Sequence, residues 1–303
     1  MKPAITLRTV AAFVTVTLVW GSTWLVIKDQ ISLVPPGWSV TWRFAVAALG
    51  MFALALVRRE SVLIDRPTML LAAVLGLLQF FGNFQFVYGA ERYVTSGLVA
   101  VLYALLMVPN AILARLFLGA RVSKRFLAGT AIALVGISAL LLHEFRAAPK
   151  LDAVALGIGL TLCGLLCASA ANVLQATERA RSAALIPMLA WAMVWGTLGD
   201  GLYSLMVWGP PVFDPRPQYI FGTVYLGLIG SVLTFPLYFA LIRDWGPSRA
   251  AYNGVAVPVV AMGLSTLFEG YRWSWLAGAG AVIALTGLLV ALSGRSSEPS
   301  PSR

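Results

Sequence analysis

The stretch AGTAIALVG at residues 128–136 recurs as AGAVIALTG at residues 279–287, with six of the nine positions identical. At the same offset of 151 residues, LGL at residues 75–77 aligns with LGL at residues 226–228. A single match can arise by chance in an apolar sequence, but a shared offset over separated stretches indicates an internal duplication. The sequence therefore predicts two structurally related halves.

The composition is that of an integral membrane protein. Of the 303 residues, 59% are hydrophobic and 11% are charged, whereas soluble domains carry about 25% charged residues. Apolar runs of about 20 residues, long enough to cross the ~30 Å hydrocarbon core as a helix, recur along the chain. We predict an all-α fold with ten membrane-spanning helices at residues 9–28, 38–57, 68–90, 93–118, 125–142, 152–176, 183–208, 218–242, 248–268 and 274–293.

The Lys and Arg residues lie mostly in the short connections between these runs. Fifteen fall on the side of the two termini and six on the opposite side, while Arg43 lies within a span. Because basic connections resist translocation, both termini are predicted to be cytoplasmic. The net charge of +10 is not gathered on one face with interleaved aromatic residues, so no nucleic-acid partner is expected.

Ten helices in two related halves leave five helices in each half, which is an odd number. The second half must then cross the membrane in the opposite orientation. We expect a first repeat at residues 1–146, an inverted second repeat at 147–294 and a disordered cytoplasmic tail at 295–303. Inverted repeats are typical of secondary transporters, whose substrate site lies near the membrane midplane between the halves. This arrangement favours solute transport by alternating access.

Several short motifs follow one another along the first half: WGSTW at residues 20–24 with Lys28, PP at 35–36, WRF at 42–44 and YGA at 88–90. Together they resemble the drug/metabolite transporter superfamily, particularly its ten-helix EamA-type exporters. The resemblance implies a multi-pass protein of the bacterial inner membrane that moves small molecules outward. Within that family the chain is most similar to exporters of amino acids, including aromatic ones.

Polar and aromatic side chains inside the predicted spans are the candidates for binding the transported molecule. A polar group inside a bilayer is costly unless it has a partner or faces a hydrated cavity. Indole and phenol rings combine apolar area with a donor, which suits amphipathic molecules with an ammonium or aromatic group. The candidates are Trp20, Trp24, Gln79, Asn83, Tyr88, Tyr103, Ser169, Asn172, Tyr238 and Tyr252. The alternative for each is a hydrogen bond between helices or a place in an interfacial aromatic belt.

Two charged residues lie inside predicted spans. Arg43 either extends its charged end to the outer surface or forms an ion pair, within the protein or with the substrate. Asp200 is the only carboxylate well inside an apolar run, so it is the candidate for proton coupling; alternatively it marks a hydrated outer end of the seventh helix. Glycine and proline permit helix bending. The candidate hinge residues are Gly82, Gly97, Pro109, Gly230, Pro236 and Pro258.

A membrane-embedded enzyme is the main alternative class of function. It would need an acid–base group or a metal cluster, but the only histidine, His143, lies at the end of a span. Cys163 and Cys167 lie one helical turn apart with no other metal-binding residue type near them in sequence, and no phosphate-binding Gly-x-x-x-x-Gly-Lys-Ser/Thr loop occurs. We expect a monomeric carrier in the lipid bilayer without metal or cofactor. Its expected substrates are amino acids, with sugars, nucleotide sugars or cationic drugs as the alternatives.

Overall fold

The computed structural model describes residues 7–119, 123–147, 151–245 and 253–293, and these residues form helices and connections without a strand. The long helices are α1 (Leu7–Gln30), α2 (Pro36–Val57), α3 (Arg66–Ala90), α4 (Ser96–Leu118), α5 (Lys124–Ala147), α6 (Leu151–Gln175), α7 (Leu185–Trp208), α8 (Pro217–Val224, Tyr225–Leu233 and Thr234–Trp245 in succession), α9 (Asn253–Phe268) and α10 (Trp275–Ser293). A five-residue helix, Glu178–Ser182, lies between α6 and α7. Each predicted span overlaps one of the long helices.

Within the described residues, seven helices are long and apolar enough to cross a bilayer, namely α1 to α4 and α6 to α8. Shorter apolar stretches occur in α9, at Ala256–Phe268, and in α10, at Trp275–Ala291. The all-α membrane class is therefore confirmed. The number of ten spans and the inverted arrangement of two halves stay predictions, and the tail predicted at 295–303 lies outside the described residues.

Side-chain caps and a glycine determine where α3 and α4 begin and end. Asp65 precedes α3 and accepts a hydrogen bond of 3.3 Å from the Thr68 backbone N–H. Thr95 caps α4 in the same way, with 3.4 Å between its Oγ1 and the Leu98 nitrogen. Such caps satisfy backbone donors that a helix start leaves free. Gly119 ends α4 with a φ of 68°, a left-handed conformation that favours glycine.

The backbones of α3 and α8 are irregular near the middle of each helix. A π-helical segment spans Gly76–Gly82 in α3, and another spans Tyr225–Leu233 in α8. Such segments often occur at functional sites. Two candidate hinges coincide with them, since Gly82 ends the first segment and Gly230 lies within the second. A Cβ built on Gly97, by contrast, would lie 2.5 Å from the Met262 sulfur, so this glycine also permits close packing of α4 on α9.

The two copies of the repeated stretch pack against each other. A Cβ built on Gly129 of α5 would lie 2.5 Å from the Gly287 carbonyl oxygen of α10, and one on Gly136 would lie 2.5 Å from the Gly280 oxygen. Only glycine allows two helix backbones to approach so closely. The sequence motif that indicates the duplication therefore also forms the contact between α5 and α10.

The connections between helices lie on two opposite faces of the bundle. At the end of α1, Lys28 donates to the backbone carbonyl of Glu91, which follows α3. On the other face, Arg179, which follows α6, forms an ion pair with Asp65, which precedes α3. The hydrogen bond from Thr68 and the Arg179 guanidinium lower the pKa of Asp65. Because α1 ends where α3 ends and α6 ends where α3 begins, α1 and α6 are antiparallel.

Candidate functional site

A central cavity of about 220 Å³ lies between α1, α2, α3, α4, α6, α8 and α9. It is smaller than the ~300–1,000 Å³ pockets that hold drug-sized ligands, so its size suits a small metabolite. Seven candidate substrate-binding residues lie on its wall: Trp20, Trp24, Gln79, Asn83, Tyr103, Asn172 and Tyr238. The candidate hinges Gly230 and Pro258 also line it.

The cavity extends from the middle of the helices toward one face of the bundle. Its wall includes Gln175, the last residue of α6, and Asn253, the first residue of α9. Side-chain contacts lie at the opposite face, where Ser96 Oγ donates to a Glu269 carboxylate oxygen 2.5 Å away and Lys28 contacts the connection after α3. The cavity is therefore directed toward the face that carries the connection between α6 and α7.

Two aromatic pairs form much of the apolar wall. The ring centroids of Trp20 and Tyr238 lie 5.0 Å apart, and those of Trp24 and Tyr103 lie 5.2 Å apart. The Tyr103 hydroxyl donates to the Asn83 side-chain oxygen at 2.5 Å, which fixes the orientation of that ring. Within the described residues, the indole N–H of Trp24 is buried and has no acceptor. The wall thus offers apolar ring faces to a ligand.

Arg43 places a positive charge on the same wall. Its side chain is only 2% exposed, and its two terminal nitrogens donate to the Tyr88 hydroxyl at 3.3 Å and to the Ser231 hydroxyl at 3.4 Å. Its guanidinium carbon lies 4.4 Å from the ring centroid of Phe84 and 5.2 Å from that of Phe44. The interpretation that Arg43 extends outward to the surface is therefore wrong, because its partners on α3 and α8 hold it inside the bundle.

Neutral amides line the end of the cavity near the α6–α7 connection. Asn172 donates to the Asn110 side-chain oxygen at 3.4 Å, and Gln175 lies one turn further along α6. Asn253 donates to the Thr17 hydroxyl at 3.0 Å. Amide groups both donate and accept hydrogen bonds, so this end can contact polar groups of a ligand without an opposing charge.

The sequence model of the EamA-like transporter family matches residues 7–142 and 155–293. The chain belongs to the EamA-like transporter family. The resemblance drawn from the sequence motifs is thereby confirmed, and the chain is a membrane transporter that acts on a small molecule.

Relatives of this EamA-family chain cover most of its length. The "Uncharacterized inner membrane transporter YedA" of Escherichia coli (strain K12) is 30% identical, over 86% of this chain and 83% of that protein. The "Probable amino-acid metabolite efflux pump" of Salmonella typhimurium is 26% identical, over 92% of this chain and 93% of that protein. A solved crystal structure with 19% identity superposes with a TM-score of 0.68, over 93% of this chain and 96% of that one, which shows that the two share a fold.

Two described candidate residues of this EamA-family chain are not on the cavity wall, and a third is not described. Tyr88 is fully buried behind it and accepts the hydrogen bond from Arg43. Ser169 is fully buried within the bundle. Tyr252 lies outside the described residues. Helical periodicity groups residues on a common face but does not say which face meets the cavity.

Asp200 is also buried away from the cavity. Its side chain is 0% exposed, one carboxylate oxygen accepts a hydrogen bond of 2.7 Å from the Gln85 amide, and the other has no partner among the described residues. The interpretation that Asp200 marks a hydrated outer end of the seventh helix is therefore wrong, because neighbouring helices enclose it. A function in proton coupling stays a prediction.

The polar groups on the wall that were not among the candidate substrate-binding residues are Thr23, Arg43, Asn110, Gln175 and Asn253. The sequence signal for Arg43 was its position within a span, and Asn110 directly follows the candidate hinge Pro109. Within the part of the chain that the structure describes, no group of three or more His, Cys, Asp or Glu side chains could hold a metal ion.

Proposed function

We propose that this EamA-family chain exports small amphipathic metabolites, namely amino acids including aromatic ones, by alternating access through the central cavity. The observation that carries the proposal is a small cavity at mid-depth, lined by aromatic rings, amides and one guanidinium. Its direction toward the α6–α7 connection, which the charge distribution assigns to the cytoplasm, fits a state that loads substrate from inside the cell.

The packing of the helices supports two inverted five-helix repeats. The contacts of α3 with α6 and α7 correspond to those of α8 with α1 and α2, when each helix is exchanged for the one five positions away. The π-helical segments of α3 and α8 correspond in the same way, and α1 is antiparallel to α6. Two related halves of opposite orientation provide two similar arrangements of one fold, which is the structural basis of alternating access.

The relatives support the substrate class and the location. A protein 26% identical over most of both chains carries the name of an amino-acid metabolite efflux pump, and another is named as an inner membrane transporter. We infer a monomeric, multi-pass protein of the bacterial inner membrane with both termini in the cytoplasm. Its two repeats would comprise residues 1–146 and 147–294.

The test is counterflow in liposomes that contain the purified full chain. Liposomes are loaded with unlabelled phenylalanine, diluted into labelled phenylalanine, and compared with liposomes loaded with a sugar, a nucleotide sugar or a lipophilic cation. A carrier of aromatic amino acids accumulates label transiently, and only when its own substrate is inside. Counterflow driven by another solute class but not by amino acids would overturn the substrate assignment, and flux without exchange acceleration would indicate a channel.

A matched pair of tyrosine substitutions tests whether the cavity is the transport site. Tyr103→Phe removes the hydroxyl that donates to Asn83, whereas Tyr203→Phe makes the same change on α7, where the side chain is 38% exposed and remote from the cavity. We expect a several-fold loss of apparent affinity in the first variant, since one hydrogen bond contributes about 1 kcal/mol, and no change in the second. Equal behaviour of the two variants would contradict a site at this cavity.

A further inference from the structure

Arg43 carries a charge that the cavity wall does not neutralise. An arginine side chain stays positively charged at any pH that a protein meets. Both of its hydrogen-bond partners, Tyr88 and Ser231, are neutral hydroxyls. Within the described residues, no carboxylate lies within 4.0 Å of its guanidinium, and its Nε has no acceptor. A buried charge without an opposite charge in direct contact is costly inside a membrane.

The buried carboxylates nearest to this region, those of Glu91 and Asp200, are not in contact with Arg43. The buried Glu91 carboxylate accepts no hydrogen bond among the described residues and is attracted by Lys28 and, more weakly, by Arg43, while Asp200 accepts from Gln85. The Arg43 guanidinium instead lies over the ring faces of Phe84 and Phe44. Ring faces attract a cation but accept no hydrogen bond in the plane of the guanidinium. The edge of the guanidinium therefore keeps N–H capacity for an anion.

The indole of Trp24 lies on the same cavity wall, but its nitrogen is not exposed to the cavity. The indole N–H of Trp24 is buried without an acceptor in the described part of the chain. Beside Arg43, a Cβ built on Gly230 would lie 3.7 Å from an arginine nitrogen and 3.1 Å from Thr23 Cγ2, so this glycine keeps the wall beside the guanidinium free of a side chain. The unused N–H groups of the Arg43 guanidinium call for a ligand rich in acceptors, and the two oxygens of a carboxylate match the fork of a guanidinium.

We propose that Arg43 is the anion-binding residue of this transporter and that the cavity recognises its substrates by a carboxylate. The inference rests on the proposed function, because it names the chemical group by which the exported metabolite is held. A cation that lacks a carboxylate is rejected, because it meets the positive charge of Arg43 on the wall.

The proposal is tested by equilibrium binding to the full chain in lipid nanodiscs. Binding is measured through the quenching of intrinsic tryptophan fluorescence. The three probes have similar size and different charge: 3-phenylpropionate, the neutral 3-phenylpropanamide and the cationic phenethylamine. We expect the carboxylate to bind at least about 30-fold more tightly than the amide, since a charge-assisted bidentate contact is lost, and the amine to give no saturable signal. Equal binding of carboxylate and amide, or preferred binding of the amine, would overturn the proposal.

Substitutions then assign the effect to one residue. Arg43→Gln should weaken 3-phenylpropionate binding by about 30-fold or more and leave the amide unchanged. Arg58→Gln removes the same charge at the exposed end of the same helix and should change neither. Arg43→Lys keeps the charge but loses the fork, so an intermediate loss is expected. If Arg43→Gln does not fold, the three probes on the unsubstituted chain and on Arg43→Lys still decide.

Failure of the anion site and failure of the export proposal give different results. Carboxylate-selective binding without amino-acid counterflow would retain the anion site and reject the export proposal. Counterflow of phenylalanine that Arg43→Gln leaves unchanged would retain export and reject the anion site.

Discussion

Replacing Gly136 with alanine is expected to weaken the contact between α5 and α10. The added Cβ would lie 2.5 Å from the Gly280 carbonyl oxygen, whereas ordinary van der Waals contact begins at 3.4 Å. The obstructing atom belongs to a helix backbone, so it cannot rotate away as a side chain can. The two helices must instead separate by roughly 1 Å, a gap that loses about a quarter to a half of the dispersion energy at the contact.

The expected size follows from a comparison with a glycine that has open space around it. A Cβ on Gly159 of α6 meets nothing within 4 Å, so Gly159→Ala gains only helix propensity, about 1 kcal/mol. Gly136→Ala gains the same propensity but adds an overpacking cost of about 1–3 kcal/mol. The Gly136→Ala variant should therefore be less stable than the Gly159→Ala variant by about 1–3 kcal/mol.

The assay is thermal unfolding of the purified variants in one detergent at one protein concentration. A difference of this size corresponds to roughly 2–10 °C between the two midpoints for a chain of this class. Equal midpoints for Gly136→Ala and Gly159→Ala would refute the close backbone contact between the two copies of the repeat.

Three further predictions concern orientation, closure and coupling. With the native cysteines removed, Ser61→Cys should react with an impermeant maleimide only from the cytoplasmic side and Val212→Cys only from outside; reaction from the same side would contradict the proposed topology. Lys28→Met removes the hydrogen bonds between α1 and the α3–α4 connection. A cysteine introduced by Ile27→Cys should then react faster with external maleimide than the same cysteine in a chain that keeps Lys28. An unchanged rate would argue that Lys28 does not close the outer side of the bundle. Asp200→Asn cannot take up a proton, so proton-gradient-driven flux should fall to the level without a gradient while counterflow persists; gradient-driven flux equal to that of the parent chain would exclude coupling through Asp200.

The positions of the helices followed from the sequence because they depend on local properties. Length and apolar composition of each run decide whether it can cross a bilayer, and caps such as Asp65 and Thr95 act within one helical turn. The irregular backbone of α3 at Gly76–Gly82 could not be predicted from the sequence. Nothing in the local pattern distinguishes that segment from a regular helix.

The sequence predicted the residues of the candidate site only in part. Trp20, Trp24 and Tyr103 line the cavity as expected, since aromatic and polar residues in a span are few and most face the bundle interior. Tyr88 lies behind the wall instead, where its hydroxyl supports Arg43. The sequence left the orientation of Arg43 open, because an arginine in this position of α2 can reach the lipid surface or turn inward.

The sequence by itself determined that this chain is a helical membrane transporter of the EamA-like family, and it predicted an internal duplication, because apolar length and recurring motifs can be read from the order of residues alone. Only the tertiary structure decided that Arg43 and Trp24 lie on the wall of one cavity while Asp200 is enclosed elsewhere. Helical periodicity limits which residues share a face, but the neighbour that each face meets depends on how distant helices pack.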